Sequence, residues 1–499
     1  MTLKRQIAIS ILCQGWIALM GFVFIPVYLN LLGVEAYAVI AIFALIQGWL
    51  TLLDFGMTPT LNREMARFKA GEHDAQTIHN LLRSLEIIAV AISAAVLIVL
   101  FLVSDWLSRE WFKTVNLSAS TLADALTILA FVVALRFVEG IYHGALYGLH
   151  QQVWFGVVSA TMAMARGVGA VVVLFFISQS LNAFFFWQIV FSLASLFLYR
   201  RKVMSSLPKP PEPPNFSLVD LKRIWRFAGA MSGIALLSML LTQVDKLLLS
   251  KLVTLEAFGY YSLAATLAAT LYMLVVPVNN VVYPLMVRYL VQRDQSGLIA
   301  LYHRSAQFVT AATASVMLTF VFFANDVVYA WSGNPALAVQ VGTLLSVLSV
   351  GTFLNCLMHM PYQLQLASNA THIAIRTNIG SLFIVIPVIA YAVPIYGAMA
   401  AAWTWVGLNA VYFVVVIYLT HRTIIPTEKR RWYFEDVAMP FLGAFVCVFA
   451  ANQLFASVSG NRLVSVLFFC ITVVTAFLCA VLLSSQINLK SLFKRGANA

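Results

Sequence analysis

Apolar stretches of about twenty residues, separated by short polar gaps, recur from one end of the chain to the other. At about 1.5 Å per residue, each is long enough to cross the hydrocarbon of a bilayer as a helix. The pattern predicts about fourteen spans. They fall at 7–30, 36–60, 84–104, 120–142, 153–177 and 181–199 in the first half of the chain. The second half supplies 226–250, 256–287, 304–325, 337–360, 374–395, 396–420, 437–457 and 462–485. The fold class expected is an all-α polytopic membrane protein. Two spans contain helix breakers: Gly15, Gly21 and Pro26 in the first, and Pro277 and Pro284 around Asn279 and Asn280 in the eighth. Interrupted helices are tolerated at membrane depth where protein or a polar cavity satisfies the freed backbone groups. The same prolines also fit plain kinks in packed helices.

Charge orients the pattern. Of the 31 Lys and Arg residues, only Arg109, Lys113, Lys251 and Arg462 fall in the gaps that face one side, while Arg136, Arg166 and Lys246 lie inside spans. All the others sit in the alternate gaps, which places both chain ends in the cytoplasm by the positive-inside rule. Lys4 and Arg5 precede the first apolar run as in a signal peptide. That run continues to about Leu29 without a small-residue cleavage site, so it reads as a retained span. The chain is 62% hydrophobic and 10% charged, against about 25% charged in soluble domains, and its mean hydropathy is +0.90. The net charge of +12 comes from residues at helix ends, not from a single stripe, so it favours topology and anionic membrane lipids over nucleic acid. The longest polar stretch, Arg200 to Arg226, is too short for a soluble domain.

Cys13, Cys356, Cys447, Cys470 and Cys479 all lie in apolar spans without paired spacing and read as small hydrophobes. His143, His150 and His359 are not at metal-ligand spacing, and no Gly-rich phosphate loop is present, so neither a metal nor ATP hydrolysis is expected. Trp16, Trp49, Trp187, Trp403 and Trp405 read mainly as core or interface residues.

Between the sixth and seventh spans, five prolines from Pro208 to Pro214 favour an extended, semi-rigid spacer. The halves on either side share a weak internal match. Glu35-Ala36-Tyr37 opens the second span and Glu256-Ala257-Phe258 the eighth, and the same offset of 221 carries Arg67 onto Arg288. Six spans before the spacer make the halves parallel repeats, one of the standard transporter plans.

Specific motifs then carry a resemblance. The stretch from Gln243 to Leu263, QVDKLLLSKLVTLEAFGYYSL, resembles the seventh-to-eighth helix junction of bacterial polysaccharide exporters. Leu53-Asp54-Phe55-Gly56 and Tyr147-Gly148-Leu149-His150-Gln151-Gln152 are similar to further motifs of the Wzx-type O-unit flippases. Their superfamily also holds multidrug antiporters and the lipid II flippase. The resemblance implies two six-helix lobes around a central cavity plus two extra C-terminal helices. The expected division is 1–202 for the first lobe, 203–222 for the linker, 223–422 for the second lobe and 423–499 for the added helices and basic tail. It implies a flippase, not an enzyme, moving an undecaprenyl-pyrophosphate-linked oligosaccharide between leaflets of the bacterial inner membrane. Membrane lipids, and the glycan polymerase and chain-length machinery, are the partners it implies.

A charge at the bilayer centre costs about 2.5–3.5 kcal/mol on insertion scales, so each buried one needs a reason. Arg166 lies near the middle of the fifth span. Arg136, Glu139 and His143 share one face of the fourth at i, i+3 and i+7. One reading is a polar cavity wall in which the arginines attract pyrophosphate or acidic sugars, a task suited to the bidentate guanidinium. The other is an Arg136–Glu139 ion pair that only locks helices together. Asn279 and Asn280 are further cavity candidates. Asp54, Asp245 and Lys246 are candidates for proton or Na⁺ coupling or for a gate, with a helix-end structural role as the alternative for Asp54. No cofactor is expected beyond such an ion. The rivals are a cation-coupled drug or metabolite antiporter on the same fold and a membrane glycan polymerase or ligase. The latter class usually carries a large outer loop, and the longest here, near Asp105 to Ser120, is short.

Overall fold

The structure, a computed structural model, describes residues 3–218, 239–240, 243–455 and 461–486. It contains no β-strand among these residues, only an isolated parallel bridge between Lys113 and Thr254. Twelve helical stretches among them are long and apolar enough to cross a membrane, and Val34–Leu50 is a shorter apolar helix. Most of the expected seventh span, 226–250, lies outside the described residues, which resume in a helix over 243–252. The all-α polytopic class is therefore observed, with a span count near fourteen. The chain divides into two compact units, Met1–Gly259 and Tyr260–Ala499.

The first unit opens with α1 (Leu3–Val23) and α2 (Ile25–Leu32). They split the first expected span next to Pro26, which sits in the first turn of α2, where a missing N–H breaks no helical bond. The second expected span, 36–60, is also two helices, α3 (Val34–Leu53) and α4 (Met57–Lys69). Phe55 and Gly56 take φ of 44° and 70° and stop α3. Asp54 then caps the start of α4, its carboxylate accepting the Thr58 N–H at 3.1 and 3.2 Å and the Thr58 hydroxyl at 2.9 Å. Next come α5 (Ala75–Trp106, running on as a π-helical turn over Leu107–Trp111), α6 (Ala119–Gly148), α7 (Gln152–Phe176) and α8 (Leu181–Ser206). The helix α9 (243–252) and then α10 (Leu255–Ala268) follow the spacer, and α10 runs past the division between units. Asp74, Ser118 and Ser180 cap α5, α6 and α8 by accepting a backbone N–H from the first turn.

The core of this unit packs Leu61 and Met65 of α4, Ile78 and Leu82 of α5, Tyr142 and Leu146 of α6, and Val203 of α8. One face of α6 carries Gly140, Gly144 and Gly148, a turn apart, and α4 lies against it. A Cβ on Gly144 would stand 2.3 Å from the Thr58 carbonyl oxygen, and one on Gly148 2.3 Å from that of Asn62. Small residues four apart let two helix backbones approach this closely.

The Pro-rich spacer is not free chain in this structure. His79 Nε2 lies 2.9 Å from the Pro208 carbonyl, the Glu212 N–H donates to Gln76, that of Asn215 to Asn80 and that of Ser217 to Ser84. These four side chains line one face of α5.

In the second unit, α11 (Thr270–Val291) continues unbroken through Pro277 and Pro284. Of the two readings open for those prolines, an interruption or a plain kink, the continuous helix fits the kink, and the break in this segment lies at Ala269, between α10 and α11. The pair α10–α11 thus begins 221 residues after the pair α3–α4, and each pair is two consecutive helices separated by a short break. Then come α12 (Gln295–Phe322), α13 (Ala324–Ser332), α14 (Pro335–Leu357), α15 (His359–Ala367), α16 (His372–Tyr396) and α17 (Ala398–Ile424). The short α18 (Lys429–Arg431) leads through a π-helical turn, Trp432–Ala438, into α19 (Met439–Phe455), and α20 (Arg462–Leu482) follows. Both α19 and α20 pack on α12. His303 of α12, fully buried, bonds Asp436 of the π turn through Nδ1 and Glu428 through Nε2. Gln307, one turn on, donates to Asp436 and to Ser485. Polar bonds fix the two last helices to α12.

Candidate substrate site

Three helices of the first unit converge on α6. The Arg136 guanidinium donates through Nη1 to Gln47 of α3 at 3.0 Å and through Nη2 to Gln188 of α8 at 3.4 Å. Its carbon stands 4.9 Å above the centre of the Phe43 ring, a cation–π contact. Glu139, one turn along, accepts the Ser195 hydroxyl at 3.0 Å and lies 3.2 Å from His143 Nε2. The His143 ring packs between Phe155 and Tyr199, with centroids 4.8 and 5.2 Å away, and Tyr199 hydroxyl meets Ser159 at 2.8 Å.

Arg136 and Glu139 therefore share a helix face without forming the ion pair expected as one alternative. Two glutamines reach the guanidinium across the helix interfaces, and the carboxylate turns toward the next helical turn. Gln47 and Gln188 are the residues missed from sequence. The readable signal was an amide side chain in the middle of an apolar span.

Arg166 sits on α7. Its backbone is pinned, because Trp187 Nε1 donates to the Arg166 carbonyl at 3.1 Å and the Tyr28 hydroxyl to that of Gly167 at 3.4 Å. Its Nε is buried and has no hydrogen-bond partner among the described residues, and the same is true of Arg136 Nε. Arg166 is close enough for its charge to repel Arg136, and Glu139 attracts both. Two guanidinium groups thus lie within electrostatic reach of one carboxylate that hydrogen-bonds Ser195 and His143 instead, and each keeps a buried Nε donor that no described residue partners. That combination favours an anion.

The other predicted residues stand elsewhere. Asn279 of α11 in the second unit is 2.9 Å from His359 Nδ1, and Asn280 is exposed. Asp54 accepts the Thr58 N–H and hydroxyl at the start of α4, a local bond and not one to the end of a neighbouring helix. Asp245 and Lys246 occupy consecutive, half-buried positions on α9.

Comparison with known proteins agrees with this architecture. The polysaccharide biosynthesis protein family matches residues 3–290. A Shigella flexneri protein described as "Putative O-antigen transporter" is 20% identical over 380 residues, covering 75% of this chain and 87% of its own. Among solved structures, the lipid II flippase MurJ in an inward closed conformation superposes with a TM-score of 0.70 at 13% identity, covering 99% of this chain and 100% of its own. An inward-facing multidrug resistance MATE family transporter of the MOP superfamily gives 0.63 at 13% identity, over 83% and 96%. At such identities the structures establish the fold, and it is the fold that the Wzx-type motifs implied. With its apolar helices and these relatives, the protein is a multi-pass membrane protein. The match over residues 3–290 makes the chain a member of the polysaccharide biosynthesis protein family.

Proposed function

We propose that this protein is a flippase, not an enzyme, for an undecaprenyl-pyrophosphate-linked oligosaccharide. It carries the repeat unit from the inner to the outer leaflet of the bacterial inner membrane, for O-antigen, capsule or exopolysaccharide assembly. Family membership supports the class of cargo. The observation that carries the choice of ligand is the pair Arg136 and Arg166, each with a buried Nε that no described residue partners. Holding uncompensated guanidinium charge at membrane depth is costly, and an anionic headgroup relieves that cost. The pyrophosphate enters from the cytoplasmic side, where both chain ends lie, while the polyprenyl tail stays in lipid. Two lobes then rock about a central cavity in alternating access. Asp54, Asp245 and Lys246 are the candidates proposed for proton or Na⁺ coupling or for a gate. Glycan polymerase and chain-length machinery receive the product.

Deleting the gene in its host should stop surface glycan display while lipid-linked repeat units accumulate on the inner leaflet, and the chain supplied in trans should restore display. Normal display combined with altered drug sensitivity would instead establish the antiporter.

A further inference from the structure

Two of the four basic residues on the face expected to be outward, Lys113 and Lys251, belong to one knot of contacts. It joins three segments far apart in sequence: the start of α3, the loop between α5 and α6, and the junction of α9 with α10. The last follows the Pro-rich spacer and the other two precede it. Glu35, nearly buried at the start of α3, accepts the three consecutive N–H groups of Val115, Asn116 and Leu117 at 2.6, 2.8 and 2.7 Å. A carboxylate held by three amides fixes that loop in one shape. The loop then offers its other end to the junction. The Leu255 N–H donates to the Lys113 carbonyl at 2.8 Å, closing the parallel bridge between Lys113 and Thr254. Lys113 Nζ donates to the Leu252 carbonyl at 3.2 Å, and Trp111 Nε1 to the buried Ser250 hydroxyl at 3.1 Å. Lys251 Nζ stands 4.8 Å from the Trp111 ring centre. Beside the knot, α10 meets α3 at Gly259, where a Cβ would lie 2.9 Å from Val34 Cγ1.

We infer that the segment Trp111–Leu117 is an outer latch, closed in this structure, that must release the α9–α10 junction before cargo can leave. The inference rests on the alternating-access reading above. The form of the contact suits a latch. It is a single-residue bridge and not a ladder, so few bonds part when it opens. Glu35 meanwhile keeps the loop in shape for closing again. The two outward lysines have their place here too: their charges are tied to a backbone carbonyl and an aromatic face of the latch.

Lys113→Cys and Thr254→Cys should be introduced together in a chain whose five native cysteines are replaced, and oxidised in cells with copper-phenanthroline. The disulfide should form, lower surface glycan display about tenfold or more, and release it again with dithiothreitol. A quantitative crosslink with undiminished display, or no crosslink at normal protein abundance, overturns the latch. A second measurement needs neither glycan nor the cysteine pair. Ser250→Cys should react slowly with a membrane-impermeant maleimide, and adding Glu35→Gln should speed labelling about fivefold or more. Equal rates also overturn the latch. Should the reduced chain fail to restore display at all, the transport reading falls, and the labelling rates still decide the latch.

Discussion

Two glycine-to-alanine changes, chemically identical and both inside helices, should move stability in opposite directions. In α6, a Cβ at Gly144 would sit 2.3 Å from the Thr58 carbonyl oxygen, 3.1 Å from its carbon and 3.2 Å from its Cγ2. The nearest of these is backbone and cannot escape by changing rotamer. Ordinary contact therefore requires α4 and α6 to separate by about 1 Å, in an interior packed to crystal-like density. Alanine gains about 1 kcal/mol of helix propensity over glycine, and overpacking costs about 1–3 kcal/mol or more, so a net loss of about 1–2 kcal/mol is expected for Gly144→Ala. The separation also stretches the bond from the Thr58 hydroxyl to the Gly140 carbonyl, already 3.4 Å, and disturbs the helix that carries Arg136 and Glu139. At Gly380 of α16 a Cβ would meet nothing within 4 Å. Gly380→Ala therefore collects only the propensity term and should stabilise by about 0.5–1 kcal/mol. Denaturant titration of the purified proteins in detergent, followed by far-ultraviolet dichroism, reads both signs, and glycan display should fall with Gly144→Ala alone. If Gly144→Ala proves as stable as Gly380→Ala, the close α4–α6 approach is refuted.

The remaining expectations concern charge. Arg166→Ala should abolish export at near-normal membrane abundance, and Arg166→Lys should keep part of it, since a point charge survives without the fork; parallel loss of abundance and export would mark a structural residue instead. Asp54→Asn preserves an acceptor for Thr58 and should leave export and abundance close to wild type, whereas Asp54→Ala removes the cap and should cost about 0.5–2 kcal/mol in the same titration. A large export defect in the Asn variant at full abundance would reassign Asp54 to ion coupling. Burial pushes the Glu64 carboxyl up, but hydrogen bonds from Arg63 and His73 and the charges of Arg67 and Arg63 outweigh it and hold the group below its ordinary value. The stabilisation it supplies is thus complete above its unfolded value of about 4.3 and fades as pH falls through the lower folded value. Glu64→Gln should be less stable than wild type at neutral pH, with the gap closing below about pH 4; a gap independent of pH would contradict this.

Helix order was legible because membrane spanning imposes length and apolarity together, and both are printed in sequence. Breaks within spans were legible where proline made them, as at Pro26, and carried no signal where it did not. The stop after α3 depends on Phe55 taking a left-handed conformation, which a bulky residue rarely signals. In α11 the prolines left an interruption and a plain kink equally open, and the helix runs on through both. The polar face of α6 could be read from spacing alone. The partners of that face could not, because Gln47 and Gln188 come from helices whose approach depends on tertiary packing. The same holds for Glu35, whose three amide partners lie some eighty residues away. The glycines of α6 stood four apart in plain view, and only the close approach of α4 gives that spacing its meaning.

The docking of the Pro-rich segment on α5 bears on where the chain tolerates added length. Gln76, Asn80 and Ser84 recur once per helical turn, and their partners Glu212, Asn215 and Ser217 keep step with them in extended chain. Prolines lie between these donors, where no N–H is required. Between Pro208 and Ser217 the number of residues is therefore constrained by register, while the identity of Lys209, Pro210 or Pro211 is not. A tag inserted in this stretch would force a bulge or slip the segment along α5. What looks in the sequence like the safest place to lengthen the protein is one where a single added residue puts every later contact out of phase.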